Sequence, residues 1–191
     1  MARAPLTEEE ILQFRKRAVE VATALFAKRG FESVTMRGLA SELGCSPMTP
    51  YRYFTNHEEL IIAVKTRAFS RFADQMEESY QPGQSGLRNL RTLKEAYIAF
   101  AVAHPDAYRI MFELRATVIS APLLEKASYR GFSVLHSAMK QAVEEGDKQG
   151  NALSLAHLAW ASTHGLVSLH LAGKLRMNRS IEELAAIEGE Y

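Results

Sequence analysis

Ala40 and Gly44 stand four residues apart between two short helical runs, and this spacing constrains the fold more than any other feature of the chain. Val34 leads into Thr35, a good N-cap, so a short helix is expected from Met36 to Leu43. A small residue at position 40 lets a second helix cross closely. Glycine at 44 accepts the positive φ that a tight corner demands. Ser46-Pro47 then reads as a second N-cap followed by an N1 proline. Pro50 withholds a backbone donor, so a start at Thr49-Pro50 stays equally open. Leu39, Leu43 and Cys45 supply apolar contact between the two helices. Two short helices joined by a glycine corner make a helix-turn-helix, the motif that lays its second helix in the major groove of DNA.

The second element of this pair, over residues 46–54, contains no acid. Its first turn would present Pro47, Met48 and Thr49, capped by Ser46, to base edges and methyl groups. Tyr51, Arg52 and Tyr53 can reach phosphates, and Arg37 on the preceding helix is a further phosphate candidate. Net charge lends little support. The 191 residues carry a formal charge of only +1, and residues 1–57 hold eight basic residues against six acids. Local placement has to carry any interaction with nucleic acid.

The remaining chain reads as helical, with no strand alternation, internal repeat or low-complexity tract. Thr7 and Glu10 form a capping box, with Leu6 placed to staple against Ile11. The first helix carries Ile11, Phe14, Ala18, Val21, Ala22, Leu25 and Phe26 on one face and ends at Gly30. A long helix begins near His57, and the Pro/Gly stretch from Gln81 to Gly86 is the clearest break in the chain. Beyond it, helices are expected over Leu87–Ala103, Asp106–Leu114, Pro122 to about Gly146, Leu153–Leu175, and from Ser180 onward. The fold class is therefore all-α: an N-terminal three-helix DNA-binding domain over 1–56 and a C-terminal helical bundle for ligand binding and dimerisation over 57–191.

Several features together resemble the N-terminal domain of the TetR family. They run from Gly30-Phe31 through Val34-Thr35-Met36-Arg37-Gly38-Leu39-Ala40 to Gly44-Cys45-Ser46, then Tyr51-Arg52-Tyr53-Phe54 and Glu58-Glu59-Leu60. The match covers about residues 8–65 without a gap, and Tyr-x-Tyr-Phe is its most telling part. The resemblance implies that Arg37, Pro47, Met48, Thr49, Tyr51 and Tyr53 fall on DNA-facing positions. Two residues depart from the pattern. His57 replaces a common lysine that holds a phosphate, and it carries charge only when protonated. Pro50 replaces an aliphatic residue.

In the C-terminal half, Trp160 and His164 share a helical face, beside a stripe of small residues at Ala161, Gly165, Ser168 and Ala172 that permits close helix–helix approach. The Trp-x-x-x-His-Gly arrangement resembles a group of TetR-like C-terminal domains named for those residues. So does Tyr97-x-x-Phe100 followed by His104-Pro105-x-x-Tyr108-x-x-Met111-Phe112. The resemblance implies a homodimer, and a dimer suits two reading heads about 34 Å apart on a palindromic operator in double-stranded DNA. Tyr97, Phe100, His104, Tyr108, Met111, Phe112, Phe132, His136, Trp160 and His164 are the candidate lining of a site for a small-molecule effector, mostly apolar with one or two polar groups.

Other chemistries find less support. His157 and His164 are seven residues apart, roughly 10 Å along a helix, so they do not clamp one metal ion. No nucleophile elbow or Gly-rich phosphate loop suggests an enzyme, and no cofactor is implied. From Gln149 to Gly173 the chain has no charged residue, but three histidines and several hydroxyls make a membrane span costly. Cys45 is the single cysteine, which fits a reducing cytoplasm, and the acidic Glu8-Glu9-Glu10 does not suit a secretory signal. The expected function is a ligand-responsive transcriptional repressor that releases its operator when its effector binds. The alternative is a helical small-molecule-binding protein without DNA-binding activity.

Overall fold

The computed structural model describes residues 7–30, 34–114, 121–175 and 180–186, and every regular element among them is helical. Leu6 and Phe31, which figure in the expected staple and the family resemblance, lie outside the described residues. Helix α1 (Glu8–Arg29) begins at a complete capping box. Thr7 Oγ1 accepts from the Glu10 N–H at 3.2 Å, and the Thr7 N–H donates to the Glu10 carboxylate at 2.8 Å. Three glutamates in its first turn and Lys28 and Arg29 in its last suit the helix dipole. Gly30, at φ +78°, ends it. The buried stripe is Ala18, Val19, Ala22, Leu25 and Phe26, with Val19 more buried than the expected Val21.

Helix α2 (Met36–Glu42) starts where Thr35 Oγ1 accepts the Gly38 N–H at 3.0 Å. Gly44 takes φ +67°, and the Cys45 N–H reaches back to the Ala40 carbonyl at 3.0 Å to close the corner. The next segment is not an α-helix starting at Ser46-Pro47. Ser46 begins a turn, its carbonyl accepting from the Thr49 N–H at 2.8 Å, and a single 3₁₀ turn covers Pro50–Arg52. The reason is local. An α-helix needs residue 50 to donate to the Ser46 carbonyl, and proline has no N–H to give. Helical geometry therefore starts at the later of the two open positions and lasts one turn.

Helix α3 (His57–Ser79) is capped by Asn56, whose Oδ1 accepts the Glu59 N–H at 2.9 Å. Ser85 caps α4 (Gly86–Ala103), which breaks at His104 before α5 (Pro105–Phe112). Pro105 is tolerated there because the first helical residue has no intrahelical partner for its N–H. Then come α6 (Pro122–Glu144), α7 (Ala152–Leu171) and α8 (Ile181–Ala186). Asn151 caps α7, and Ser180 and Glu183 form a second capping box on α8. Among the described residues, no helix is long and apolar enough to cross a membrane.

The chain divides into two compact units, with cuts after Ala68, Tyr108 and Leu124. The first unit holds α1, α2, the 3₁₀ turn, the start of α3 and the end of α5. Its buried side chains include Leu25, Phe26, Leu39, Phe54, Leu60 and Val64. Lys65 joins its elements by donating to the Leu114 carbonyl at 2.6 Å.

In the second unit α4 packs on α7, and α7 on α8. The stretch from Gln81 to Gly86, which reads as a break, is instead tied down inside this unit. The fully buried Asn89 accepts from the Gln81 N–H at 3.0 Å and donates to the Gln81 carbonyl at 3.1 Å. Gly86 approaches α6 so closely that a Cβ there would stand 2.2 Å from the backbone nitrogen of Ala142. Gly86→Ala should therefore lower stability by about 1–3 kcal/mol, because a backbone neighbour cannot swing aside. Urea denaturation checks this, and an unchanged midpoint would contradict so tight a contact.

Candidate DNA-reading turn and aromatic cluster

Two groups of expected site residues can be followed from the backbone upward. In the first unit, the corner and the 3₁₀ turn present Ser46, Pro47, Met48, Tyr51 and Arg52 to solvent, with Arg37 exposed on α2. Met48 is 69% and Tyr51 48% exposed, high values for large apolar side chains. Pro50 and Phe54 turn inward and anchor the segment, while Thr49 and Tyr53 are half-buried. Tyr53 stacks on Phe14 of α1, ring centroids 3.8 Å apart and planes 15° from parallel. One face of that ring is therefore spent on packing. His57 is exposed, yet its Nε2 donates to the carbonyl of Val34, so its hydrogen bonding serves the backbone.

A residue that sequence reasoning passes over holds this segment. The Nη1 of Arg15 donates both to the Tyr53 carbonyl and, at 2.6 Å, to Glu59 Oε1. Its guanidinium lies 4.4 Å from the centroid of the Phe54 ring. The other Glu59 oxygen accepts the Thr55 N–H at 2.6 Å. Burial works to raise the Glu59 carboxyl, but the Thr55 amide and the Arg15 guanidinium outweigh it and hold it below its ordinary 4.5. Arg15 sits inside Arg15-Lys16-Arg17 and enters the sequence reading only as one of the eight basic residues of 1–57. Its partner is 44 residues away, beyond the reach of any local signal.

Pairing also changes what the charges around the turn mean. Glu42 meets Arg29 at 3.1 Å, and Glu20 meets Arg67 at 3.0 Å. The acids at the edges of the motif are thus offset by arginines, while Arg37 and Arg52 stay exposed beside a segment with no acid. This arrangement suits a polyanion despite a net charge near zero.

In the second unit, Tyr97, Tyr108 and His164 form one hydrogen-bonded cluster. The Tyr97 and Tyr108 hydroxyls are 3.2 Å apart, and Tyr108 lies 2.6 Å and Tyr97 3.3 Å from His164 Nδ1. His164 Nε2 lies 3.4 Å from Ser168 Oγ. Burial is the main cause that pushes the Tyr97 phenol well above its usual range, and burial lowers the His164 imidazole. Phe72 meets Tyr97 and Phe100 edge-on at 5.1 and 5.3 Å, and Phe100 meets His104 at 5.3 Å. Phe132 packs near His136, His157 and Trp160.

Eight of the ten expected lining residues thus belong to the second unit. Met111, buried, and Phe112, half-buried, fall in the first. A cleft of about 270 Å³ opens in the second unit beside other side chains: Glu77, Tyr80, Ser133, Val134 and Ser137.

The neutral state of His164 makes stability depend on pH. Its folded pKa lies below the ordinary 6.5, so the unfolded chain takes up a proton that the folded chain resists. The associated stability is fully present above 6.5 and is lost as pH falls from there through the folded value. Trp160, the only tryptophan, reports unfolding by fluorescence. The urea midpoint should fall below about pH 6.5, and His164→Gln should flatten that slope. Equal slopes in the two proteins would contradict the assignment.

Comparison with known proteins agrees with this geometry. Residues 18–64 match the family described as bacterial regulatory proteins, tetR family. Residues 90–188 match the tetracyclin repressor-like C-terminal domain, a broader description than the Trp-His-Gly group. The fold is similar to a Rhodococcus sp. RHA1 protein of unknown function, with TM-score 0.78 and 23% identity over 90% of this chain and 89% of that one. It is similar to a TetR family protein from Vibrio parahaemolyticus, at 0.69 and 22% over 90% and 93%. It is also similar to the transcriptional regulator FadR from Bacillus subtilis in complex with stearoyl-CoA, at 0.69 and 15% over 89% and 92%. The two family matches, one across the reading turn and one across more than half of the chain, make this protein a member of the TetR family, a DNA-binding transcriptional regulator that acts by binding and not by catalysis.

Proposed function

We propose that the protein is a cytoplasmic one-component repressor, working as a homodimer that leaves a palindromic operator when a small molecule binds its C-terminal domain. The observation that carries this reading is the exposed, acid-free turn bearing Met48, Tyr51 and Arg52 beside Arg37. Met48 and Pro47 suit thymine methyls and base edges, and Arg37, Arg52 and Tyr51 suit phosphates. The functional division assigns residues 1–56 to DNA and 57–191 to ligand and dimerisation. The continuous α3, 23 residues or about 34 Å long, starts directly after the reading turn and ends in the second unit. A ligand that favours one position of this helix over another changes operator affinity by the same coupling.

For the effector, the neutral Tyr97–Tyr108–His164 cluster among aromatic rings suits an apolar molecule with few polar groups. The Bacillus subtilis neighbour is in complex with stearoyl-CoA, a ligand whose acyl chain is apolar while its coenzyme A part carries phosphates. For the dimer, α7 carries no Asp, Glu, Lys or Arg and leaves Leu158 58% and Leu169 49% exposed. Ala161 and Ala172 are exposed beside them, with Gly165 and Ser168 half-buried. A Cβ at Gly165 would meet nothing within 4 Å, which leaves room for a partner helix.

Two measurements test this. In gel shifts against duplexes selected by the wild-type protein, Arg37→Ala and Tyr51→Ala should each weaken binding about tenfold. Arg37→Ala should also lower the salt slope by about one per protomer. Purified protein that selects no sequence sinks the repressor reading. In sedimentation, Gly165→Leu should give a folded monomer, since a Cβ at 165 has no contact within 4 Å among the described residues. An undiminished dimer would move the interface elsewhere.

A further inference from the structure

We propose that Arg15 is a positioning residue for sequence readout: from α1 it fixes the orientation of the reading turn and so sets specificity without touching DNA. This rests on the reading of residues 46–54 as the DNA-contacting segment. The turn's own backbone bonds, from Thr49 to Ser46, Arg52 to Thr49, and Tyr53 and Phe54 to Pro50, close single turns and form no continuous ladder. Pro50 gives no N–H, the 3₁₀ geometry lasts three residues, and such short pieces have poorer hydrogen bonds than an α-helix. Its exposed side chains therefore depend on how the end of the turn is anchored.

That anchor is built around one guanidinium. Nη1 carries two hydrogens, and both are spent inward, one on the Tyr53 carbonyl and one on Glu59. The plane of the group covers Phe54, which is fully buried. Phe14, the preceding residue, stacks on Tyr53 from the same helix. Glu59 completes the frame by taking the Thr55 N–H, while the Asn56 cap fixes the first turn of α3. A carbonyl, a ring and a carboxylate that follow Tyr51 and Arg52 within eight residues are thus referred to one point on α1. A shift of that point tilts the turn, and Met48 with it, against the bases while removing no phosphate-seeking charge.

The competing role for an arginine here is a phosphate contact, and the two roles differ in what they change. Loss of a phosphate contact weakens all duplexes alike and lowers the salt slope. Loss of a positioning residue lowers the preference for the right sequence and leaves the slope alone. Duplexes are first selected from a random library with wild-type protein. Binding of a selected duplex and of an unselected one of equal length is then titrated from 50 to 200 mM KCl.

Arg15→Gln should lower the selected-over-unselected ratio about tenfold, the scale of a lost charge-assisted hydrogen bond, with the slope unchanged. Arg15→Lys should recover part of it, because an ammonium can bridge both oxygens but cannot lie flat over Phe54. Glu59→Gln should act in the same direction, and the double variant should be no worse than Arg15→Gln alone. A ratio is insensitive to the fraction of folded protein, and Glu59→Gln carries the test if Arg15→Gln does not fold. An unchanged ratio overturns the proposal. So does a slope lower by about two per dimer, which would make Arg15 a phosphate ligand. Wild-type protein that enriches no duplex overturns the DNA reading itself, and the proposal with it, before any variant is made.

Discussion

One missing backbone hydrogen organises the first unit. Because Pro50 cannot donate to the Ser46 carbonyl, residues 46–54 do not close into an α-helix, and the Ser46 carbonyl takes the Thr49 N–H instead. Its own backbone bonds close only single turns, so tertiary contacts hold it in place as well. Phe54 is buried, Tyr53 is stacked, and the Tyr53 carbonyl is held from α1. A regular recognition helix carries its own geometry in its hydrogen-bond ladder. Here the scaffold shares that task with the turn's short local bonds, and Met48, Tyr51 and Arg52 remain outward.

The same economy governs charge. A formal charge of +1 suggests a protein with no interest in nucleic acid, yet the relevant quantity is where charge is left unneutralised. Glu20, Glu42 and Glu59 are each within ion-pair distance of an arginine. Such exposed or half-exposed pairs add little stability, with a median of about 0–1 kcal/mol. Their effect on the surface is to set a positive charge beside each of these carboxylates.

What the sequence made legible was whatever its own neighbourhood decides. Thr7, Gly30, Thr35, Gly44 and Ser180 act within a turn of themselves, and each does so where local rules put it. The all-α class and the helix limits come from such signals together with the spacing of apolar residues. Pro50 was ambiguous because a cap at Ser46 and a donor lost at 50 pull the start of the second helix to different places. Contacts at long range were not legible. His57 read as a possible phosphate ligand, while its ring serves the carbonyl of a residue 23 positions earlier. The aromatic set was visible by type, but nothing in the chain says that Tyr97 meets a histidine 67 residues on, or that Met111 and Phe112 belong to the other unit.

The hydrogen bonds around His164 also have a direction. An assignment that serves every member runs from Tyr97 to Tyr108, His164 and finally Ser168. Each inner link takes a proton from one side and gives one to the other. A side chain at an inner position that could only accept, or only donate, would leave the next group unserved.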